Sequence, residues 1–213
     1  MTKSAITWES SINSFLQQAG SASPTPGGGS VAALAAALGA SMTSMVAHLS
    51  QGERFAPIAS GVAAAITDMK TLTVESERLM QADIASFDQY MVALKLPKGT
   101  EEERTQRLAA IHQAAIQAID IPLCLMDLCK QGMSRTHSLA EASNKNVASD
   151  LAIGAILLEA AAQSAAVTIE INLASLRDDV LAQQYRDKLA SLLQDMAELK
   201  QETLSIVRRR MQE

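Results

Sequence analysis

From Ile58 to Leu94 the chain keeps a single rhythm. Val62, Ile66, Met69, Leu72, Met80, Ile84, Phe87, Met91 and Leu94 follow three-and-four spacing, which lines them along one face of an α-helix. Unbroken, such a helix reaches about 55 Å. A stripe that long can be buried only against other long helices. Nothing elsewhere alternates with period two for any distance, so no strand is predicted. Hydrophobic residues make up 48% of the chain but aromatics only 3%, so Ala, Leu, Ile and Met fill the interior. That mixture favours helices over sheets. The expectation is an all-α bundle of about six mostly long antiparallel helices, formed by residues 1–213 as a single domain.

The remaining helices are placed by their punctuation. Thr7 caps a first helix over 8–18, with Ile12, Phe15 and Leu16 inward. A second runs from Ser30 to Leu49, its stripe formed by Val31, Leu34, Leu38, Met42, Met45 and Leu49. Its other faces are mostly Ala, and a helix apolar nearly all round is buried or paired with another subunit. Leu96-Pro97-Lys98-Gly99 stops the third helix, and Thr100 with Glu103 forms a capping box that opens the fourth. Pro122 is expected to kink or split that helix near Ile121. The polar stretch from Lys130 to Lys145 reads as a broken helix or loop. A fifth helix follows from Asn146 to Leu176 and a sixth from Asp178 to Arg210, where Arg208-Arg209-Arg210 complements the helix dipole as a solvated end. Helices with this much apolar surface often continue their packing into a symmetric second copy.

Several function classes are disfavoured. Net charge is −5 and no basic stripe interleaves with aromatics, against a nucleic-acid groove. Val31 to Ala47 is apolar but short for a membrane span, and Ser41, Thr43 and Ser44 dilute it. Cys124 and Cys129 point apart on a helix, so no bridge is expected between them. Two thiols and no export signal point to a cytoplasmic setting. His48, His112 and His137 form no HExxH or Cys/His cluster, so no metal site is expected.

Three polar features stand out. Asp83 shares a helix face with Met80 and Phe87, so its carboxylate needs a partner or a raised pKa. It is either a functional acid or an acceptor for a neighbouring helix end. Asp150 lies in the first turn of the fifth helix, where backbone N–H groups favour a charge. Val147 and Gly154 share its face, although simple capping explains it as well. Gly27-Gly28-Gly29-Ser30 joins a Pro-rich loop to the second helix. The glycines open backbone conformations closed to other residues, or a close approach to the main chain, and Ser30 begins a helix whose free N–H groups suit a polar ligand. No Gly-Lys-Ser/Thr follows, so this is not a nucleotide loop.

Taken together, SPTPGGGSVAALAAALGASMTSMVAHL, DIASFDQYMVALKLPK, NKNVASDLAIGA and EINLASLRDD resemble, in order and over nearly the whole chain, the formiminotetrahydrofolate cyclodeaminase / methenyltetrahydrofolate cyclohydrolase family. His48, Glu53-Arg54 and the surroundings of Glu170 depart from the family pattern. The resemblance implies an all-helical homodimer acting on a one-carbon folate, without a metal or other cofactor. It implies Asp83 as proton donor or shuttle, and Asp150 as base or stabiliser of the cationic amidinium. Gly27, Gly28, Gly29 and Ser30 are then expected to present donors to the substrate, with Phe87, Asn144, Ser149 and Asn172 as further contacts. Asn172 lies about 33 Å from Asp150 along a straight helix, so both meet one ligand only if a second subunit closes the site. The competing reading is a non-catalytic helical scaffold or a folate-binding protein.

Overall fold

A computed structural model describes residues 6–176 and 178–212. Six α-helices account for most of them, and no strand occurs among the described residues. They are α1 (Ile12–Ala19), α2 (Gly28–His48), α3 (Ala59–Lys95), α4 (Glu101–Leu139), α5 (Ala148–Leu173) and α6 (Asp179–Gln212). Short 3-10 turns, Glu53–Ile58 and Lys145–Val147, lead into α3 and α5. Helix α2 packs on α3 and α5, and α4 packs on the same two. These four therefore form a square bundle, and α6 lies across α4 and α5.

Sequence logic accounts for much of this. The capping box at Thr100 is present with both of its hydrogen bonds. Helix α3 runs 37 residues without interruption and buries Val62, Met69, Leu72 and Met80, though Met91 and Leu94 near its end are exposed. Both cysteines are free.

Five expectations need correction. Helix α1 starts later, because Ser11 rather than Thr7 caps it, and it turns only Phe15 inward; Ile12 is 78% and Leu16 62% exposed. Helix α2 is rotated from the expected orientation. It buries Ala32, Ala33, Ala36, Ala37, Ala40, Thr43 and Val46, while Val31, Leu38 and Leu49 face outward. The cause is close packing between main chains. A Cβ on Gly39 would sit 3.0 Å from the Gly154 carbonyl oxygen, and one on Gly154 would sit 2.8 Å from Thr43 Oγ1. Only small residues allow that contact, so the bulky side chains are turned away.

Helix α4 neither splits at Pro122 nor breaks in the polar stretch, but continues to Leu139. Proline removes the amide that would serve the carbonyl four residues back, that of Ala118. The side-chain amide of Asn172 donates to that carbonyl instead, at 3.3 Å. Finally, Arg210 is not simply solvated: its guanidinium donates to the Ala140 and Ser143 carbonyls and so ties the end of α6 to the end of α4.

Helices α2 and α4 and the segment 145–173 are each long and apolar enough to cross a membrane, by length and composition alone. About half of the apolar window in α2 and in 145–173 is covered by the rest of the fold.

Candidate functional site

Three helices line a small cleft that the start of α2 reaches through the Ser30–Asp83 hydrogen bond. Helix α3 supplies Asp83, Ser86, Phe87 and Tyr90; α4 supplies Ala118, Ile121 and Pro122; α5 supplies Thr168 and Asn172. Its volume is about 130 Å³, below the few hundred Å³ that enclose a drug-sized ligand. By itself it holds one ring system or one end of a larger molecule.

Asp83 ties this cleft to the glycine loop. Ser30 Oγ–H donates to Asp83 Oδ2 at 2.9 Å, and the Ser30 backbone N–H also hydrogen-bonds the carboxylate. Gly27, the N-cap residue of α2, has no side chain, so Asp83 caps that helix from across the bundle. Burial pushes the Asp83 carboxyl above the ordinary carboxylate range, and the two bonds from Ser30 oppose that shift only in part. The result is an acid that holds its proton more tightly than usual beside a helix start.

The glycines follow from this contact, and the expected unusual backbone does not occur. Gly27 is extended and Gly28 opens the helix; the only positive-φ glycine described is Gly52. What demands glycine is space at Gly29. A Cβ there would lie 2.2 Å from Asp83 Oδ1, a distance no atom pair tolerates. Gly28 has nothing within 4 Å. The group that closely approaches this main chain is the protein's own carboxylate.

Asn172 reaches the same cleft from the end of α5. Its Nδ2 donates to the Ala118 and Thr168 carbonyls, and its Oδ1 carries no hydrogen bond. Phe87 lines the wall one turn beyond Asp83.

Asp150, Ser149 and Asn144 lie at the opposite end of the bundle. Asn144 donates from Nδ2 to the Leu49 carbonyl, and its backbone N–H donates to Ser50 Oγ. It thereby clips the end of α2 to the turn that opens α5. Ser149 is exposed and Asp150 half-buried beside it. Since Asp83 grips the start of α2 and Asn144 its end, the two groups are about 30 Å apart within one chain. One protomer therefore gathers Asp83, Gly29, Ser30, Phe87 and Asn172, and keeps Asn144, Ser149 and Asp150 apart from them.

Sequence reasoning missed Ser86, Tyr90 and Pro122 in the cleft. Ser86 was legible in principle, since it falls three residues after Asp83 on the same helix face. Nothing local pointed to Pro122 as a cleft wall. Among the described residues, no three His, Cys, Asp or Glu side chains gather closely enough to hold a metal ion.

Residues 11–191 match the family described as formiminotransferase-cyclodeaminase. The chain is 36% identical to rat (Rattus norvegicus) formimidoyltransferase-cyclodeaminase over 188 residues, 88% of this chain and 35% of that protein. It thus spans about a third of the length of that relative. It is also 31% identical to the methenyltetrahydrofolate cyclohydrolase of Methylorubrum extorquens over 198 residues, covering 92% of this chain and 95% of that one. The fold is similar to the crystal structure of formiminotetrahydrofolate cyclodeaminase from Thermotoga maritima, with a TM-score of 0.85 at 23% identity over 94% and 96% of the two chains.

Proposed function

The chain belongs to the formiminotransferase-cyclodeaminase family, and from that premise we propose that it is a one-carbon folate enzyme. It acts either as a formiminotetrahydrofolate cyclodeaminase, releasing ammonia and forming 5,10-methenyltetrahydrofolate, or as a methenyltetrahydrofolate cyclohydrolase. Both reactions pass through a tetrahedral carbon between N5 and N10. In the first, N10 attacks the formimino carbon and the amino group leaves as ammonia. In the second, water adds to the methenyl carbon and one C–N bond opens. Each requires a proton delivered to a nitrogen and a cationic amidinium held in place.

The observation that carries this reading is Asp83. A carboxyl whose proton affinity burial has raised is better suited than an ordinary one to donate to a departing nitrogen. Asp150 would serve as the complementary group, stabilising the cation or accepting a proton.

Bringing the two together calls for a second copy of the chain. Val31 and Leu38 of α2, Leu49 just past its end, and Ile153, Ile156, Val167 and Ile171 of α5, the helix that α2 packs on, are all exposed and apolar. In the proposed homodimer this face meets itself across a two-fold axis near Leu38, the middle of α2. Such an axis superposes the start of α2 in one protomer on the end of α2 in the other. Asp83, Phe87 and Asn172 of one chain then face Asn144, Ser149 and Asp150 of the next. The small cleft becomes one wall of a larger site.

The test is turnover of 5-formimino- and 5,10-methenyltetrahydrofolate, followed in the near-ultraviolet band of the methenyl compound. Formation of the band marks the deaminase, and its loss above the uncatalysed rate marks the hydrolase. Asp83→Asn and Asp150→Asn are expected to lower the rate at least a hundredfold; near-wild-type rates in both would remove them from the mechanism. A second reading keeps the bundle as a scaffold, since capping of α2 by Asp83 is by itself a structural task. No turnover of either folate by the wild-type protein would favour it.

A further inference from the structure

Ser86 is 5% exposed, and its Oγ is shielded from solvent with no hydrogen-bond partner. Buried hydroxyls are rarely left this way. A helical serine ordinarily escapes the problem by donating to the carbonyl four residues back. Ser41, Ser134 and Ser164 do so here, with Oγ to carbonyl distances of 2.8, 3.0 and 2.7 Å. For Ser86 that acceptor would be the Ala82 carbonyl, and the bond is not made. The residue lines the Asp83 cleft three positions after Asp83 on the same helix face. Its place in the lining sets that unmet hydroxyl next to whatever the cleft holds.

The other polar groups of the cleft define what that guest offers. Asn172 has committed both amide hydrogens to carbonyls and retains Oδ1 as an acceptor. Asp83 contributes a carboxyl group, and Phe87, Tyr90, Ile121 and Pro122 make flat or apolar walls. A hydroxyl that both donates and accepts, set beside a lone acceptor, complements a ring edge carrying N–H and C=O groups side by side. The volume of about 130 Å³ suits a ring system rather than a whole folate.

We propose that Ser86 is a substrate-binding residue, its hydroxyl without a partner inside the fold because its partner is a polar atom on the edge of the folate's bicyclic ring. This rests on the folate reading above. It has a consequence that a structural role lacks. Removing the hydroxyl should weaken binding without weakening the fold, because the fold does not use it.

The experiment titrates 5-formyltetrahydrofolate, a stable folate, into the 213-residue chain by calorimetry and records the melting temperature without ligand. Ser86→Ala is expected to bind about tenfold more weakly, with an unliganded Tm equal to or above wild type. Ser86→Cys, close in shape and with a weaker donor, should fall between them. Ser76 is the control: its Oγ is also buried and unpaired, but it does not line the cleft. Ser76→Ala should leave affinity unchanged. Affinity of Ser86→Ala equal to wild type overturns the inference and spares the folate reading. A lower unliganded Tm for Ser86→Ala overturns it too, since the hydroxyl would then be serving the fold. Failure of the wild-type protein to bind the probe overturns both.

Discussion

Asp83 carries two duties that conflict electrostatically. As a cap on α2 it works best ionised, yet burial favours its protonated form, and burial is the larger influence. Its folded pKa is therefore raised above the unfolded one. Its contribution to stability is complete below the ordinary carboxylate range and is lost as pH rises through the raised value. Asparagine can still accept from Ser30 without carrying charge. Asp83→Asn is thus expected to melt close to wild type at about pH 3 and progressively above it toward neutrality, in paired thermal scans across pH. A constant difference would mean that Asp83 does not titrate as argued. Gly29 sits against the same carboxylate. Gly29→Ala should cost roughly 1–3 kcal/mol and displace Asp83, lowering turnover. Gly28→Ala, with open space around it, should be neutral or gain up to about 1 kcal/mol; urea titrations of the two variants separate these outcomes. Part of this was legible: its apolar face alone marks Asp83 for a raised pKa or for acceptance from a neighbouring helix end. The sequence marks Asp83 as a carboxylate in an apolar stripe and marks the glycines as adjacent to a helix start. That one answers the other across 53 positions depends on how the helices are threaded.

At the scale of elements, α4 and α5 are coupled by a missing amide. Pro122 leaves the Ala118 carbonyl without its helical donor, and Asn172 supplies one from α5. Asn172→Ala is expected to destabilise by about 1–2 kcal/mol in the native background. In a Pro122→Ala background the helix has its own N–H for Ala118, so the same change should cost about 1 kcal/mol less. Equal costs in the two backgrounds, measured by chemical denaturation, would mean the two residues act independently. Helix existence and many boundaries could be read in advance, because capping chemistry and three-and-four spacing are local. The orientation of α2 could not. A segment apolar on every side has no polar face to fix its rotation, and the decision passes to Gly39 and Gly154, which meet only in the folded bundle. The continuity of α4 was hidden for a similar reason, since the compensation for Pro122 lies on another helix.

At the scale of the whole molecule, the proposed site belongs to the pair and not to the chain. Asp83→Asn and Asp150→Asn chains, each inactive alone, form mixed dimers in which one of two sites has both acids intact. Co-refolding equal amounts should therefore restore about a quarter of wild-type turnover, since half the dimers are mixed. No recovery, with mixing verified by mass, would place each site inside one chain and end the shared-cleft proposal. Charge introduced at the centre of the apolar face, as in Leu38→Glu, should give a helical monomer by sedimentation with turnover lost. The family resemblance implies a second subunit, but the face proposed here for it could be named only from the structure, in which α2 turns Leu38 outward. That leftover oily surface also makes durability a matter of numbers: the melting point should climb with protein concentration, and a dilute sample would spoil first.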